Sequence, residues 1–121
     1  MHKTLTSTSE IQIYFSKNDS KSKKAVAYAK SISDKVQTID IQRTVGTGTI
    51  WRSILAKLDK SPKDLLDKSN PYYQENIRGR DFEERDWIYL LMHNPDLVRS
   101  PIAIRGTRAI ILDNPTDIYK L

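Results

Sequence analysis

Side chains that could bind or react with an anion are concentrated in one short segment, Lys17–Lys24, which reads KNDSKSKK. Asp19 could act as an acid or base, and Ser20 and Ser22 could act as nucleophiles if a general base lay beside them. No histidine or lysine signature accompanies the two serines, so helix-capping or solvent-facing roles are the alternative for both. The segment therefore offers a carboxylate and two hydroxyls, but no complete pair of nucleophile and base.

The same segment is basic, because it contains Lys17, Lys21, Lys23 and Lys24. Backbone N–H groups at the N-terminus of a helix have no partners within the helix, and they attract anions. A helix that begins in this segment could therefore hold a small anion among the lysines. A run of solvated surface charge is the alternative interpretation.

Asp19 could also have a structural role as the N-cap of a helix. It stands immediately before the helical pattern that starts at Ser20, which is the N-cap position. Its carboxylate can accept a hydrogen bond from the backbone N–H of Lys21 or Ser22. Capping of this kind stabilises a helix by about 1 kcal/mol, and a lysine-rich first turn adds to the effect. The sequence predicts a capping Asp19, with a catalytic aspartate as the alternative.

The composition excludes several kinds of site. The 121 residues contain no cysteine, which rules out disulfides, thiolate metal sites and a cysteine nucleophile. The only histidines are His2 and His93, so no metal centre is predicted, and no cofactor is expected. The net charge of +5 favours acidic partners, but charges of both signs are interspersed, so a nucleic-acid partner is not expected. No stretch resembles a signal peptide or a membrane helix, which predicts a cytoplasmic protein with no membrane contact.

Patterns of apolar residues predict the elements that would position the basic segment. Period-2 alternation predicts strands at Glu10–Phe15 and Val36–Ile41, and helical spacing predicts an amphipathic helix over Ser20–Ser33 between them. Together they form a βαβ unit with a right-handed crossover. The length suits a single domain over residues 1–121, in which residues 1–9 form a loose N-terminal tail.

The next part of the chain is predicted to form a helix with one apolar face. Thr44–Thr49, TVGTGT, reads as a turn whose last threonine caps the helix. Apolar residues then recur at helical spacing along a wide stripe. The stripe consists of Ile50, Trp51, Ile54, Leu55 and Leu58. The prediction is a helix that ends near Leu58 and carries this stripe on one face.

Two further helices are predicted before residue 94. Ser61, a capping residue that precedes a proline, opens a short helix to about Lys68. Asp81 is predicted to cap a longer helix that ends at His93. Between these two helices, Tyr72–Arg80 is predicted to form helical turns and loop.

The last third of the chain contains two short apolar runs around a turn. Ile102–Arg105 and Arg108–Leu112 are separated by a Gly-Thr pair, and glycine takes a positive φ without steric cost, so the runs are predicted to form a β-hairpin. Pro101 has no N–H for a strand ladder, so it is expected at the first residue of a strand or in a tight turn. Pro115–Leu121 is predicted to form at most two turns of helix.

Two stretches carry a resemblance to a known family. Asn94–Ile104, NPDLVRSPIAI, has the form Asn-Pro-x-Leu followed by Pro-Ile-x-Ile, and Ile13–Ala25, IYFSKNDSKSKKA, combines a strand, a loop and a helix start. They resemble the motifs of the glutaredoxin-coupled arsenate reductases and the related Spx-type regulators. The resemblance spans nearly the whole chain and implies an α/β, thioredoxin-like fold with a four-stranded mixed sheet and a helical insertion. In that family the proline at the position of Pro101 is cis and walls the active site.

The resemblance also implies where the family's catalytic residues would lie. The position of the reactive cysteine is Asp19, and the resolving cysteine of two-cysteine members falls at Ser22. The arginines that hold the oxyanion in the reductases fall at Asp67, Ser100 and Asn114. No position keeps the family's residue, so the resemblance implies a degenerate, cysteine-free site. The candidates for ligand binding around it are Lys17, Asp19, Ser20, Ser22, Arg99, Ser100 and Pro101.

Three functional hypotheses follow. The first is a pseudoenzyme that lacks reductase activity and acts by binding another protein, since a carboxylate at Asp19 cannot form an arsenic–sulfur bond or a mixed disulfide. The second is residual catalysis on, or binding of, a small oxyanion or glutathione at the old active site. The third is an Spx-like transcriptional regulator that contacts RNA polymerase, because Arg99 resembles a basic position in those regulators. The missing thiol favours the first.

Overall fold

The computed structural model describes residues 10–17, 19–43 and 48–121. The predicted tail and most of the predicted turn before the second helix, residues 44–47, lie outside these ranges. The helices and strands are β1 (Ile11–Phe15), α1 (Ser20–Ile32), β2 (Val36–Asp40), α2 (Gly48–Leu58), α3 (Pro71–Asn76), α4 (Glu84–His93), β3 (Ile102–Arg105) and β4 (Arg108–Ile111). Short 3₁₀ helices cover Pro62–Leu65, Pro95–Leu97 and Pro115–Lys120.

The chain divides into two compact units. The first unit consists of Met1–Thr44 and Ser100–Leu121, and it contains the four strands and α1. The second unit is Val45–Arg99, and it contains α2, α3 and α4. The second unit is the helical insertion that was predicted between the two halves of the sheet.

The sheet has the strand order β2-β1-β3-β4. β1 is parallel to β2 and antiparallel to β3, and β3 is antiparallel to β4. Arg105 pairs with Arg108 across the predicted hairpin, and Gly106 adopts a φ of 64° in its turn. This left-handed conformation is one that glycine adopts at no steric cost. The predicted four-stranded mixed sheet is confirmed.

The core of the first unit joins α1 to the sheet. Its fully buried apolar residues are Ile11, Ile13, Ala25, Ala29, Ala103, Leu112 and Ile118. Ala25 and Ala29 are the buried residues of this set on α1, and their small side chains allow the helix to pack close to the strands. The rings of Tyr28 and Tyr119 lie 5.7 Å apart and join α1 to the C-terminal 3₁₀ helix.

The second unit is built around apolar faces of its helices. The predicted stripe on α2 is buried at Trp51, Ile54, Leu55 and Leu58, while Ile50 is 37% exposed. No helix in the described ranges is both long and apolar enough to cross a membrane.

Two predicted helix starts are wrong. Thr49 lies inside α2 instead of capping it, because the helix begins at Gly48. Asp81 does not cap α4, which begins after Glu83. The ring of Phe82 packs edge-on against Trp87 at 4.8 Å, one residue before the cap and four after it. This arrangement is a hydrophobic staple, and it sets where the chain enters the helix.

The other differences concern where elements end. The helix predicted from Ser61 to Lys68 stops at Leu65, because the next residue forms an isolated antiparallel bridge with Val98. The predicted ends of strands and of α1 at Glu10, Ser33, Ile41 and Leu112 each lie one residue outside the observed elements. Ile41 and Leu112 nevertheless donate backbone hydrogen bonds to Phe15 and Pro101.

Candidate functional site

Asp19 caps α1. Its backbone is extended, with φ −106° and ψ 115°, and its Oδ1 accepts a hydrogen bond from the backbone N–H of Lys21 at 2.9 Å. Its carbonyl oxygen accepts from the N–H of Ser22 at 3.1 Å. Asp19 is the acidic group at this helix start, since the first turn of α1 contains no acidic residue. The predicted capping role is confirmed.

The two serines of the basic segment occupy different environments. Ser20 is the first residue of α1 and is exposed. Ser22 is only 2% exposed, and its Oγ accepts a hydrogen bond from the backbone N–H of Ser16 at 3.3 Å. The hydroxyl of Ser22, which the resemblance places at the resolving-cysteine position, therefore ties the end of β1 to α1.

The loop before β3 brings Ser100 to Asp19. The Ser100 Oγ donates to Asp19 Oδ2 at 3.5 Å, the outer limit for a hydrogen bond, across 81 positions of sequence. The Ser100–Pro101 peptide bond is cis, as the family resemblance implies for this proline. Pro101 is buried, and its carbonyl oxygen accepts from the N–H of Leu112 at 2.8 Å. Both oxygens of the Asp19 carboxylate thus have partners within the first unit.

Two basic side chains, Lys17 and Arg43, lie near the carboxylate of Asp40. Lys17 Nζ lies 3.6 Å from Asp40 Oδ2, and Arg43 Nε lies 4.0 Å from the same oxygen. Asp40 ends β2, so Lys17 is drawn towards the end of that strand. The side chain of Lys17 is 57% exposed, which makes this a weak surface ion pair.

Arg99 belongs to the second unit, unlike the other candidate residues. Its backbone N–H donates to the carbonyl oxygen of Leu65 at 2.8 Å, and its Nη1 donates to the carbonyl oxygen of Asp64 at 3.2 Å. It lines a cavity of about 480 Å³ together with Lys60, Asp64, Leu66, Asp67, Lys68 and Ser69. Both acidic and basic side chains line this cavity, so it has no strong preference for one sign of charge.

The arginine positions implied by the resemblance are occupied by side chains that stabilise turns or contact the cap. Asp67 Oδ1 accepts from the N–H and the Oγ of Ser69, at 3.0 and 2.6 Å. Asn114 Oδ1 accepts from the N–H and the Oγ of Thr116, at 3.2 and 3.0 Å. With Ser100 at the third position, none of the three can neutralise an oxyanion.

A groove in the first unit was not predicted. Its volume is about 350 Å³, and it is lined by Phe15, Ser16, Lys17, Ser22, Lys23, Val26 and Thr38. Val26 lies next to the buried Ala25 on α1, and Thr38 is the middle residue of β2. Sequence periodicity assigned both to their elements but could not place them on opposite sides of one groove.

The pKa values of two described side chains, Tyr14 and Asp64, are shifted. Burial raises the pKa of the Tyr14 phenol. The pKa of Asp64 is lowered, first by the hydrogen bond from the backbone N–H of Ser61 at 3.1 Å, then by that from the Ser61 hydroxyl at 2.9 Å, and further by the charges of Lys60 and Lys68. Neither group is a candidate catalyst, because each is accounted for by its own structural surroundings.

The described residues bring together no metal-binding group of three or more histidine and carboxylate side chains. The site around Asp19 contains a carboxylate, a backbone N–H donor and the hydroxyl of Ser100. A carboxylate with both oxygens engaged is a poor nucleophile, and no polarisable thiol accompanies it. The arrangement can stabilise a helix start and present a surface.

The comparison with protein families decides the relationship. The model of the ArsC family matches residues 14–121. The chain belongs to the ArsC family. No curated protein matches the sequence.

Solved structures show the same fold. An arsenate reductase from Vibrio cholerae is 17% identical, with a TM-score of 0.82 and 93% of this chain and 98% of that chain covered. A protein from Yersinia pestis with a provisional assignment as an arsenate reductase is 19% identical, with a TM-score of 0.85 and coverage of 92% and 99%. An arsenate reductase-related protein from Brucella melitensis is 17% identical, with a TM-score of 0.68 and coverage of 93% and 96%. This ArsC-family chain therefore has the thioredoxin-like fold predicted from its motifs.

Proposed function

We propose that this ArsC-family protein is a pseudoenzyme without thiol-dependent reductase activity, and that it acts by binding another protein. The absence of reductase activity is supported by Asp19, which stands at the position of the family's cysteine. Its Oδ1 accepts a hydrogen bond from the N–H of Lys21 at 2.9 Å. Reduction of arsenate through the family's chemistry needs a thiolate that bonds to arsenic. As(V) then becomes As(III) as two thiols are oxidised to one disulfide. The chain contains no cysteine that could supply it.

The charge at this position also argues against an oxyanion ligand there. A carboxylate a few ångströms from a bound oxyanion repels it, and the backbone N–H that would attract the anion already donates to Asp19. Asp67, Ser100 and Asn114 provide no compensating positive charge at the arginine positions. Binding of arsenate or glutathione at the old site is therefore the weaker hypothesis.

Support for a protein partner comes from the surface of α1. This helix and its flanking loops carry more lysines than acidic residues, and the side chains of Lys21, Lys23 and Lys24 near the start of the helix are exposed. A one-sided positive surface steers acidic partners and increases their rate of association. The partner is expected to present an acidic surface, in a cytoplasmic setting.

The reductase half of the proposal is tested by assaying arsenate reduction with glutathione and glutaredoxin. We expect no turnover above a blank without protein. Asp19→Cys should create a thiol that reacts faster with alkylating reagents than free cysteine, because it sits at a helix N-terminus, yet it should not restore reduction since the arginine positions remain empty. Turnover by the parent protein that disappears in Asp19→Ala would refute the proposal.

The binding half is tested by affinity purification from the native cell, followed by mass spectrometry. We expect a protein that is retained at low salt, released at high salt and recovered with both the parent and Asp19→Ala. The contrary result is calorimetric binding of arsenate, phosphate or glutathione that Asp19→Ala strengthens by removing the repelling charge. That outcome would assign the site to a small ligand.

A further inference from the structure

β2 is an edge strand of the described sheet. It pairs with β1 on one side, and the strand order places no other described strand beside it. The ladder between the two is parallel, and its ends are fixed by two hydrogen bonds: Ile11 N–H to the Lys35 carbonyl oxygen and Ile41 N–H to the Phe15 carbonyl oxygen, both at 2.9 Å. These bonds determine which groups of β2 face β1.

In a parallel ladder, every second residue directs both its N–H and C=O groups to the neighbouring strand. Since Lys35 and Ile41 bond to β1, the residues between them alternate, and Val36, Thr38 and Asp40 direct their backbone groups away from β1. The carbonyl oxygen of Asp40 accepts from the N–H of Arg43, so the outward-facing residues considered for pairing are Val36 and Thr38. β2 therefore presents backbone donors and acceptors at intervals of two residues along its outer edge.

The groove described above runs beside this edge. The half-buried side chains of Phe15 and Val26 supply its apolar surface, and Thr38 is exposed and lines it from β2. Thr38 thus contributes its side chain to the groove and its backbone to the edge. An extended chain that paired with β2 would place alternate side chains over the groove, because side chains in a strand repeat every two residues.

Lysines give the groove a positive end. Lys17 and Lys23 both line it and are exposed. The carboxylate of Asp40 lies near Lys17 at 3.6 Å, and Arg43 shares that carboxylate, so the surroundings keep a net positive charge. A negatively charged side chain is complementary to this end, and an apolar one is complementary to the part formed by Phe15 and Val26.

We propose that β2 and this groove bind an extended acidic peptide segment of a partner protein, which adds as a further strand to the sheet. An apolar side chain of the segment enters the groove, and an acidic side chain two residues away lies near Lys17 and Lys23. This is binding by strand addition, in which the backbone supplies affinity and the alternate side chains supply specificity. The inference rests on the proposed function, because it names the partner surface of a protein-binding family member.

The test uses a fluorescein-labelled peptide, Thr-Glu-Thr-Leu-Thr-Glu-Thr, and fluorescence anisotropy with the full chain. The sequence reads the same in both directions, so parallel and antiparallel pairing place a glutamate two residues from the leucine. We expect saturable binding that weakens as salt is raised, because the contributing charges are exposed. Replacing the leucine by serine should weaken binding at least about fivefold, the effect of losing one buried apolar side chain.

Thr38→Pro tests the strand edge. Proline removes the outward N–H but leaves the ladder with β1, and edge strands tolerate it. We expect binding to weaken at least about tenfold, whereas Thr38→Val, which keeps the N–H, should stay within about twofold. Peptides N-methylated at alternate amides give the same information if Thr38→Pro fails to fold: methylation at one set of alternate amides should abolish binding and methylation at the other set should not. Equal binding of both methylated peptides would overturn strand addition.

Lys23→Gln tests the charged end of the groove against Lys30→Gln on the same helix, which does not line it. We expect about a two- to fivefold loss for the first and no change for the second, the range measured for exposed ion pairs. Equal effects of the two variants, or no binding of the peptide at all, would overturn this inference. Neither result bears on arsenate turnover, so the proposed loss of reductase activity stands or falls separately.

Discussion

Replacing the cap of α1 tests whether Asp19 is a structural successor to a catalytic group. Asp19→Ala removes the hydrogen bond from the Lys21 N–H at 2.9 Å and the long contact with the Ser100 hydroxyl at 3.5 Å. Loss of an N-cap side chain costs about 0.5–2 kcal/mol of stability. The contact at 3.5 Å is at the limit of hydrogen bonding and contributes little. We therefore expect a loss of about 1 kcal/mol in the free energy of unfolding.

The charge of Asp19 contributes separately from the hydrogen bond. The carboxylate faces a helix N-terminus whose first turn carries lysines and no acidic residue, so removing it leaves an unfavourable concentration of positive charge. Asparagine caps helices about as well as aspartate but carries no charge. Asp19→Asn should therefore cost less than Asp19→Ala, and raising the salt concentration should narrow the difference between Asp19→Asn and the parent.

Urea unfolding followed by circular dichroism measures these differences. The midpoint should fall while the slope stays constant, which indicates a change in stability and not in the compactness of either state. Asp34→Ala serves as the matched control, because Asp34 is exposed in the same unit and surface substitutions of this kind change stability by less than about 0.5 kcal/mol. If Asp19→Ala is as stable as the parent, Asp19 is an unconstrained surface residue and the capping interpretation is wrong.

The shifted pKa values of Asp64 and Tyr14 lead to two predictions about how stability depends on pH. The pKa of Asp64 is lowered, so its carboxylate stabilises the fold above the ordinary aspartate pKa of about 3.9, and this stabilisation disappears as pH falls through the folded pKa. Asp64→Ala should therefore cost about 0.5–1 kcal/mol of stability at neutral pH. The difference in stability between the variant and the parent should shrink when unfolding is measured in acid. Equal differences at pH 7 and pH 2.5 would contradict this. The pKa of Tyr14 is raised by burial, so its effect is present below the ordinary tyrosine value of about 10 and is lost as pH rises through the folded value. Tyr14→Phe should therefore keep more of its stability than the parent between pH 8 and pH 11, and parallel losses would show that Tyr14 does not ionise with unfolding.

The family and the fold were accessible from the sequence because their signals are local. The strand, loop and helix start of Ile13–Ala25 and the proline motif of Asn94–Ile104 lie in short continuous stretches, and the alternation of Ile11, Ile13 and Phe15 is set by the pleat of one strand. Capping by Asp19 was equally local, since the acceptor and the N–H donor are two residues apart. The absence of cysteine from the chain needed only a residue count.

Element boundaries that depend on tertiary packing could not be predicted from the sequence in the same way. Asp81 is a better intrinsic cap than Glu83, but the packing of Phe82 on Trp87 fixes the start of α4 two residues later. Likewise, the bridge between Leu66 and Val98 ends the 3₁₀ helix that starts at Pro62, and these partners are 32 residues apart. Local preference of about 1 kcal/mol is overridden when a buried aromatic contact or a strand pairing favours another boundary.

The groove beside β2 was decided by the tertiary structure alone. Phe15, Val26 and Thr38 belong to three different elements, and only the parallel pairing of β1 with β2 and the packing of α1 over them make these residues neighbours. The meeting of Ser100 with Asp19 has the same origin, since chain closure brings together groups 81 positions apart. Sequence determines which chemical groups the chain carries and the periodicity that orients them along each element. Distances between elements arise only when burial of a shared core selects one packing among many.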